Sequence, residues 1–565
     1  MTPCKRHRNL LRFLDTHPLV RSISLPGIVA RSTGESVRTF PVAPTLPQRK
    51  AGVSYPRIGI IDGGLDPTLS NWIIGQWGFL SSADRELSHG TSIGGLAVAG
   101  RLLNGVSCCP EPDGAELVDI DVLPDDTSNS FVMYYPGGTS QLFDEIEAAI
   151  SDVTNQHDVR IFNMSINLKR PAELGSYDRY TARLDDIAEE NDAIIFLSAG
   201  NIDAGYYRPE WPRNETQALA NLAVATDDRL YAPAQSIKNV SVAALNPPGL
   251  PTSIPYAPAC YSRRGPGLRT GVKPDLAHVG GSGTPAPGLE SGLYSVFPGG
   301  EVTSIQGTSY ATPLVAKTAA VLESAIEGRV SRETLLALLI HHSQIPRPLQ
   351  SKPLISVARD LVGFGMPMSA ERTLETDDHS ITMVFASRIR PRQQVVFQFA
   401  WPASLARPDG RCRGGARLTL VSTPPLDTKF GSEFVRVNVN ASLQQQKPDG
   451  KWIGRLDPVY LPGKGEAPVV EAELIKHGLK WSPVKVFAKT MPRGVGNSSN
   501  WRLFVEYLTR SNEEMPELGV PFTAILTISD PDRQQPVFND LRQSLLAYGV
   551  EIADIRTAAR ITQRI

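Results

Sequence analysis

SIQGTSYATPLVAKTAAVL, residues 304–322, joins a Gly-Thr-Ser turn directly to an apolar, alanine-rich run. The run reads as a buried helix over 310–327, and Ala311, Ala316, Ala319 and Ala320 keep it thin enough to sit deep in a core. Ser309 falls at its mouth, where unpaired N–H groups and the helix dipole favour negative charge. Gly307 lets the backbone approach a bound molecule closely. Pro313 follows Ser309 by four residues. In a first turn, proline loses no intrahelical hydrogen bond, so the reading places Pro313 there.

Upstream of this stretch, short Val/Ile-rich runs alternate with helical segments. RIGIID (57–62), ELVDIDVL (116–123), VRIFNMSI (159–166), AIIFLSAG (193–200) and NVSVAAL (239–245) read as strands. TSIGGLAVAG (91–100), LFDEIEAAISDV (142–153), YTARLDDIAEEN (180–191) and SRETLLALLIHHS (331–343, N-capped by Ser331) read as helices. Such alternation predicts an α/β domain with a mainly parallel sheet flanked by helices. Beyond residue 370 it stops. Seven strand-like runs between ITMVFAS and FTAILTI, separated by Pro, Gly and Asn, predict an all-β, sandwich-like domain closed by a helix over 539–549. The expected domains are an N-terminal extension or linker (1–51), the α/β domain (52–370) and the β-sandwich (371–565).

Composition narrows the function. The 565 residues carry 57 Lys and Arg against 58 Asp and Glu, a net charge of −1. That balance predicts neither a nucleic-acid nor a membrane partner. No apolar run reaches the roughly 18–20 residues of a membrane span. The basic N-terminus has no signal-peptide core, because Arg12, Asp15 and His17 interrupt it. Five cysteines, at 4, 108, 109, 260 and 412, read as reduced thiols. Together these features predict a cytoplasmic protein; the rival is a secreted one whose leader has been removed.

Four motifs carry chemistry, each at a strand end or helix start: Asp62 before Gly63-Gly64, His89 in Ser-His-Gly-Thr, Asn201 in Ala-Gly-Asn, and Ser309 in Gly-Thr-Ser-Tyr-Ala-Thr-Pro. A hydroxyl nucleophile needs a base, the base needs an orienting carboxylate, and the oxyanion formed on a carbonyl needs amide donors. In this order the motifs resemble those of the subtilisin-like serine peptidases. DGAELVDIDVL, FNMSI, YSRRGPG, KPDLA and GFGMP (363–367) add to the resemblance, which spans roughly 52–370.

The resemblance implies a serine endopeptidase working through an acyl-enzyme, with Asp62, His89 and Ser309 as its triad. Asn201 and the Ser309 N–H would form the oxyanion hole. A protein or peptide substrate would add as a strand along Asn163, Ser165, Ile166 and Asn167, and against Gly137 and Gly138 on the other side. Ser198, Ala199 and Gly200 would line the pocket for the residue before the scissile bond. Gly63 stands where the family commonly has a hydroxyl, so Asp62 is expected to be held less rigidly. Asn167 stands where glycine is common, and would crowd a subsite. The first fifty residues resemble the end of an inhibitor-type prodomain, with VRSISL as its strand. Similar bacterial intracellular enzymes are encoded beside an ATPase in toxin–antitoxin or phage-defence modules, which implies a regulatory protein partner. The alternative reading is a catalytically silent module that binds proteins through the same cleft.

No cofactor or metal is expected. Calcium at Asp119/Asp121 or Asp125/Asp126 would lack the glycine and glutamate of an EF-hand, so these acids are expected to be solvated. His341 and His342 are expected to pack rather than ligate, since neighbours on a helix diverge by about 100°. Arg263-Arg264 reads as a loop contact.

Overall fold

Short, uninterrupted apolar strands are stable only between two covering layers. The computed structural model describes residues 3–20, 29–31, 35–125, 129–173, 175–268, 270–461 and 470–547. It begins with α1 (Pro3–Thr16) and two short strands, β1 (Ala30–Arg31) and β2 (Glu35–Phe40). Then come β3 (Arg57–Asp62), β4 (Ile73–Gly78), α2 (Leu87–Cys108), β5 (Glu116–Asp121), α3 (Ser130–Tyr134) and α4 (Thr139–His157). β6 (Ile161–Met164), β7 (Ile166–Asn167), α5 (Arg179–Glu190), β8 (Ile194–Ser198), α6 (Glu215–Val224), β9 (Val240–Leu245) and β10 (Leu276–Val279) follow. β11 (Tyr294–Val296) and β12 (Val302–Gln306) lead into α7 (Thr308–Ala325), α8 (Arg332–His341), α9 (Ile355–Val362) and α10 (Ala370–Leu374).

Seven strands form one parallel sheet in the order β10-β9-β8-β6-β3-β5-β4. β3, β5, β6, β8, β9 and β10 are buried almost throughout. Against the sheet lies α7, whose residues from Thr308 to Leu322 are all buried. The mainly parallel, helix-flanked sheet matches the expected fold class.

Two expectations about helix starts are corrected. α2 begins at Leu87, four residues early, because the Glu86 side chain accepts from the Ser88 N–H (2.8 Å) and caps it. His89 therefore lies inside the first turn rather than before the helix. α7 begins at Thr308, which puts Pro313 beyond the first turn. Its missing N–H would have bonded the Ser309 carbonyl, four residues back. The Ser165 hydroxyl replaces it, donating to that carbonyl at 3.3 Å.

The C-terminal region is antiparallel. β13 (Ser380–Ile389), β14 (Val395–Ala400), β15 (Cys412–Ser422), β16 (Val437–Gln446), β17 (Trp452–Gly454) and β18 (Asp457–Pro458) precede α11 (Glu471–Lys476). After it come β19 (Val484–Val495), β20 (Asn500–Thr509), β21 (Val520–Ser529) and α12 (Val537–Ala547). Two sheets result, β13-β21-β15-β19-β18 and β14-β20-β16-β17, packed around Trp401, Trp501 and Phe522. α12 starts two residues before the expected helix, whose positions 548–549 lie outside the described residues, as do most of VRSISL and Asp126.

In the first of these sheets the central strands β15 and β21 are covered on both faces. The sheet's other face carries α8: Thr334 Oγ1 meets Thr523 Oγ1 at 2.8 Å, and Thr423 donates to Glu333 at 2.6 Å. His341 bridges both central strands, with Nδ1 2.9 Å from Thr419 Oγ1 and Nε2 2.7 Å from Thr527 Oγ1. Val421, Val486 and Ile525 join the hydrophobic core of the α/β domain. Burial pushes His341 well below the usual histidine range and His342 down to about 4. Both rings stay neutral in the fold but take up a proton once unfolded below about pH 6.5. Stability should therefore fall as the pH drops from 6.5 towards 4, by up to ~1.4 kcal/mol per unit per histidine. Thermal melts across that range should show the loss, and His341→Asn with His342→Gln should flatten it.

Candidate active site

Four sheet and helix ends converge. Asp62 closes β3 and is 1% exposed. Its Oδ2 lies 2.8 Å from Nδ1 of His89, on the first turn of α2. With a carboxylate as acceptor, the ring carries its proton on Nδ1, which leaves Nε2 as the basic nitrogen. His89 Nε2 is buried and has no hydrogen-bond partner among the described residues. The ring sits 5.6 Å from Tyr310, the residue after Ser309.

Both oxygens of the carboxylate are engaged: the Gly63 backbone N–H donates to Asp62 Oδ1 at 2.8 Å, and His89 pairs with Oδ2. The neighbouring acids are not solvated either. Asp121 lies opposite Asp62 in the β3–β5 register, and Asp119 sits two residues before it. Both are buried, and Arg85 pairs with them at 2.5 and 2.9 Å. Burial raises both carboxyls, Asp121 to about 6, while Arg85 pulls them down. Three carboxylates at adjacent strand ends would repel one another, and Arg85 offsets that repulsion.

Asn201 follows β8, and its orientation is fixed from both ends. Its Oδ1 accepts from the N–H and the hydroxyl of Thr308, each at 2.9 Å. Arg263 Nε donates to its backbone carbonyl at 2.9 Å. With the amide oxygen doubly engaged, the Asn201 NH2 is the end that can serve a ligand. Ser309 is wholly buried in the first turn of α7 beside Thr308. Gly307 precedes it at φ 151° and ψ 156°, a conformation that favours glycine. Arg263 makes the loop contact expected of it, but the sequence gives no sign that it holds Asn201, and none that Thr308 does. Thr308 hides inside the Gly-Thr-Ser motif, and Arg263 contacts residues far away in the chain.

The expected substrate edge is only partly reproduced. Asn163 lies within β6, hydrogen bonded to Ser165 Oγ at 3.2 Å and buried between β3 and β8. A central strand has no free edge, so Asn163 is not positioned to pair with substrate. β7, with Ile166 and Asn167, stands off the sheet and is paired instead with this chain's own N-terminal segment. Ala30 opposes Asn167, and Arg31 opposes Ile166, antiparallel. β2 then runs antiparallel to β12, the strand that leads into Ser309. The Gly137 N–H donates to Gln141 Oε1 (3.0 Å), and Gly138 caps α4 at φ 70°. Ser198 ends β8, Ala199 and Gly200 follow it, and Asn167 Nδ2 donates to Ser198 Oγ at 3.0 Å.

Residues 64–369, more than half the chain, match the family model described as Peptidase_S8, subtilase family. The chain belongs to the subtilase family. Membership places it among the serine peptidases; the matched span begins two residues after Asp62. The uncharacterized protein y4bN of Sinorhizobium fredii (strain NBRC 101917 / NGR234) is 25% identical over 312 residues, half of this subtilase and 71% of that protein. A serine protease of Aeromonas sobria is 15% identical with a TM-score of 0.38, over 84% of this chain and 88% of its own. The prenylagaramide maturation protease PagA is 16% identical with a TM-score of 0.36, over 57% and 93%.

The described part of this subtilase has no helix long and apolar enough to cross a membrane. Cys108, Cys109, Cys260 and Cys412 are buried free thiols.

Thr308→Val should loosen the Asn201 amide without opening the core. The expected result is a kcat lower by roughly tenfold, a fraction of the ~10²–10³ that follows loss of an oxyanion donor itself. KM should stay within a few-fold, read from steady-state kinetics on a peptide substrate.

Proposed function

We propose that this subtilase is an endopeptidase in which Asp62, His89 and Ser309 act as the triad. The observation that carries the reading is the buried 2.8 Å Asp62–His89 pair, set beside the helix mouth that bears Ser309. His89 Nε2 takes the Ser309 proton as Oγ attacks the peptide carbonyl. The Asn201 NH2 and the Ser309 N–H receive the oxyanion, and Asp62 stabilises the imidazolium. His89 then protonates the leaving amine as the C–N bond breaks. Water, deprotonated by the same nitrogen, hydrolyses the acyl-enzyme and returns the proton to Ser309.

The enzyme is regulated by its own N-terminal segment, acting as a strap. β1 occupies the main-chain bonds of β7 that an extended substrate would use, and β2 lies on the strand entering Ser309. The protein works in the cytoplasm, in keeping with its buried thiols. There a partner that peels the strap away would switch it on.

A fluorophosphonate probe tests the chemistry. Wild type should be labelled at Ser309, and Ser309→Ala should not be. A folded wild type that resists labelling even with its strap unpaired would favour the silent binding module. Ala30→Pro with Arg31→Pro removes the strap's N–H donors without deleting it. Peptide hydrolysis should rise at least several-fold in that double variant, and an unchanged rate in a folded protein would rule out inhibition by the strap.

A further inference from the structure

Three segments lie side by side next to Asn201: β7, the stretch Ser198–Gly200, which the resemblance gives as the lining of the pocket, and the loop around Tyr231. They are tied to one another in pairs. Asn167 Nδ2 donates to Ser198 Oγ (3.0 Å), the Tyr231 N–H to the Ala199 carbonyl (3.2 Å), and the Leu168 N–H to the Ala232 carbonyl (2.9 Å). The last two are backbone bonds that brace the segments. The first joins two side chains, and so it crosses the interval between β7 and Ser198.

The third segment is closely packed. Gly200 has φ 96°, and a Cβ there would lie 3.0 Å from the Tyr231 ring and 3.1 Å from Arg263 Cδ. Arg263 stacks on that ring, 3.6 Å from its centroid, and donates to its hydroxyl. The other guanidinium N–H groups hold the carbonyls of Asn201, Asp227 and Arg229. Tyr231 therefore cannot swing aside without breaking this set. Asn167 is 2% exposed, and its Oδ1 is buried with no hydrogen-bond partner among the described residues. A buried carbonyl oxygen without a donor is unfavourable, and a ligand that supplies one relieves it.

We propose that the Asn167–Ser198 bridge and the Tyr231–Arg263 stack shorten the pocket for the residue before the scissile bond, so that it takes only small side chains and prefers serine. The inference rests on the reading of Ser309 as nucleophile and β7 as the substrate edge. A large side chain such as leucine or phenylalanine would have to displace the bridge. Serine fits the shortened space, and its hydroxyl can donate to Asn167 Oδ1. Specificity of this kind follows a general asymmetry: a site holding an unpaired polar group discriminates strongly in favour of the substrate that pairs it.

The test uses full-length protein with the strap unpaired by Ala30→Pro and Arg31→Pro, and a peptide series differing only in serine, alanine, leucine or phenylalanine before the cleaved bond. kcat/KM should rank serine first, alanine several-fold lower, and leucine and phenylalanine at least tenfold below alanine. Asn167→Gly should raise the phenylalanine-to-alanine ratio at least tenfold and erase the preference for serine over alanine. Ser198→Ala, a change that removes one oxygen, should raise the same ratio by a smaller factor. Because the readout is a ratio, a general loss of activity does not enter it. Cleavage after leucine or phenylalanine as fast as after serine would overturn the short pocket. Equal rates after serine and alanine would overturn the hydrogen bond to Asn167. Fluorophosphonate labelling of Ser309 keeps the two readings apart. A protein that labels but prefers large residues refutes the pocket alone, whereas one that neither labels nor cleaves refutes the peptidase reading.

Discussion

The burial of α7 constrains everything around it. From Thr308 to Leu322 each residue of this helix is enclosed, so its first turn cannot drift relative to the sheet. Asn201, Ser165 and Thr308 exploit that rigidity. Thr308 holds the amide of Asn201, and Ser165 holds the carbonyl of Ser309 that Pro313 leaves without a helical donor. The proline thus converts a helical bond into a tie between α7 and the link from β6 to β7. A loop-borne serine would have no such ties, and the donors around it would be placed with less precision.

Electrostatics explains a second group of contacts. Parallel strands deliver their carboxyl ends to one edge of the sheet, and in this subtilase two neighbouring ends carry three acids: Asp62 on β3, and Asp121 with Asp119 two residues before it on β5. Such crowding would favour protonation of the wrong carboxyl. Arg85, on the approach to α2, pairs with Asp119 and Asp121 and leaves Asp62 to His89 and the Gly63 N–H. The β-sandwich is joined with comparable firmness. Four threonines, His341 and Glu333 tie α8 to β15 and β21 and to Thr423 beyond them, and the hydrophobic core continues across the join. The two regions therefore share a core rather than a hinge.

Much of the site was legible in the chain because chemistry restricts residue type at element ends. Asp62, His89, Asn201 and Ser309 each sit in a short motif whose glycines and small residues have a local reason. Five of the seven strands were equally plain, since a doubly covered sheet needs unbroken Val/Ile runs; β4, partly exposed at the sheet edge, and the four-residue β10 carry no such run. Helix starts were less plain. Glu86 is not a preferred capping residue, and it moved α2 back by four positions; α7 starts two positions early, at Thr308, which changes the meaning of Pro313. Asn163 appeared to share an edge with Ile166 and Asn167, because sequence cannot show where a strand leaves its sheet.

By itself, the sequence determined the order of the four motifs of the candidate site, the parallel sheet beneath them and the change to an antiparallel domain after residue 370. These follow from local periodicity and from motifs only a few residues long. Tertiary structure alone decided that Ala30 and Arg31 lie on Ile166 and Asn167, that Arg85 neutralises Asp119 and Asp121, and that Asn167 reaches Ser198. Each of these joins residues distant in the chain, through backbone N–H groups or common polar side chains that carry no local signature. Their partners are selected by the shape of the packed sheet, which exists only after the chain has folded.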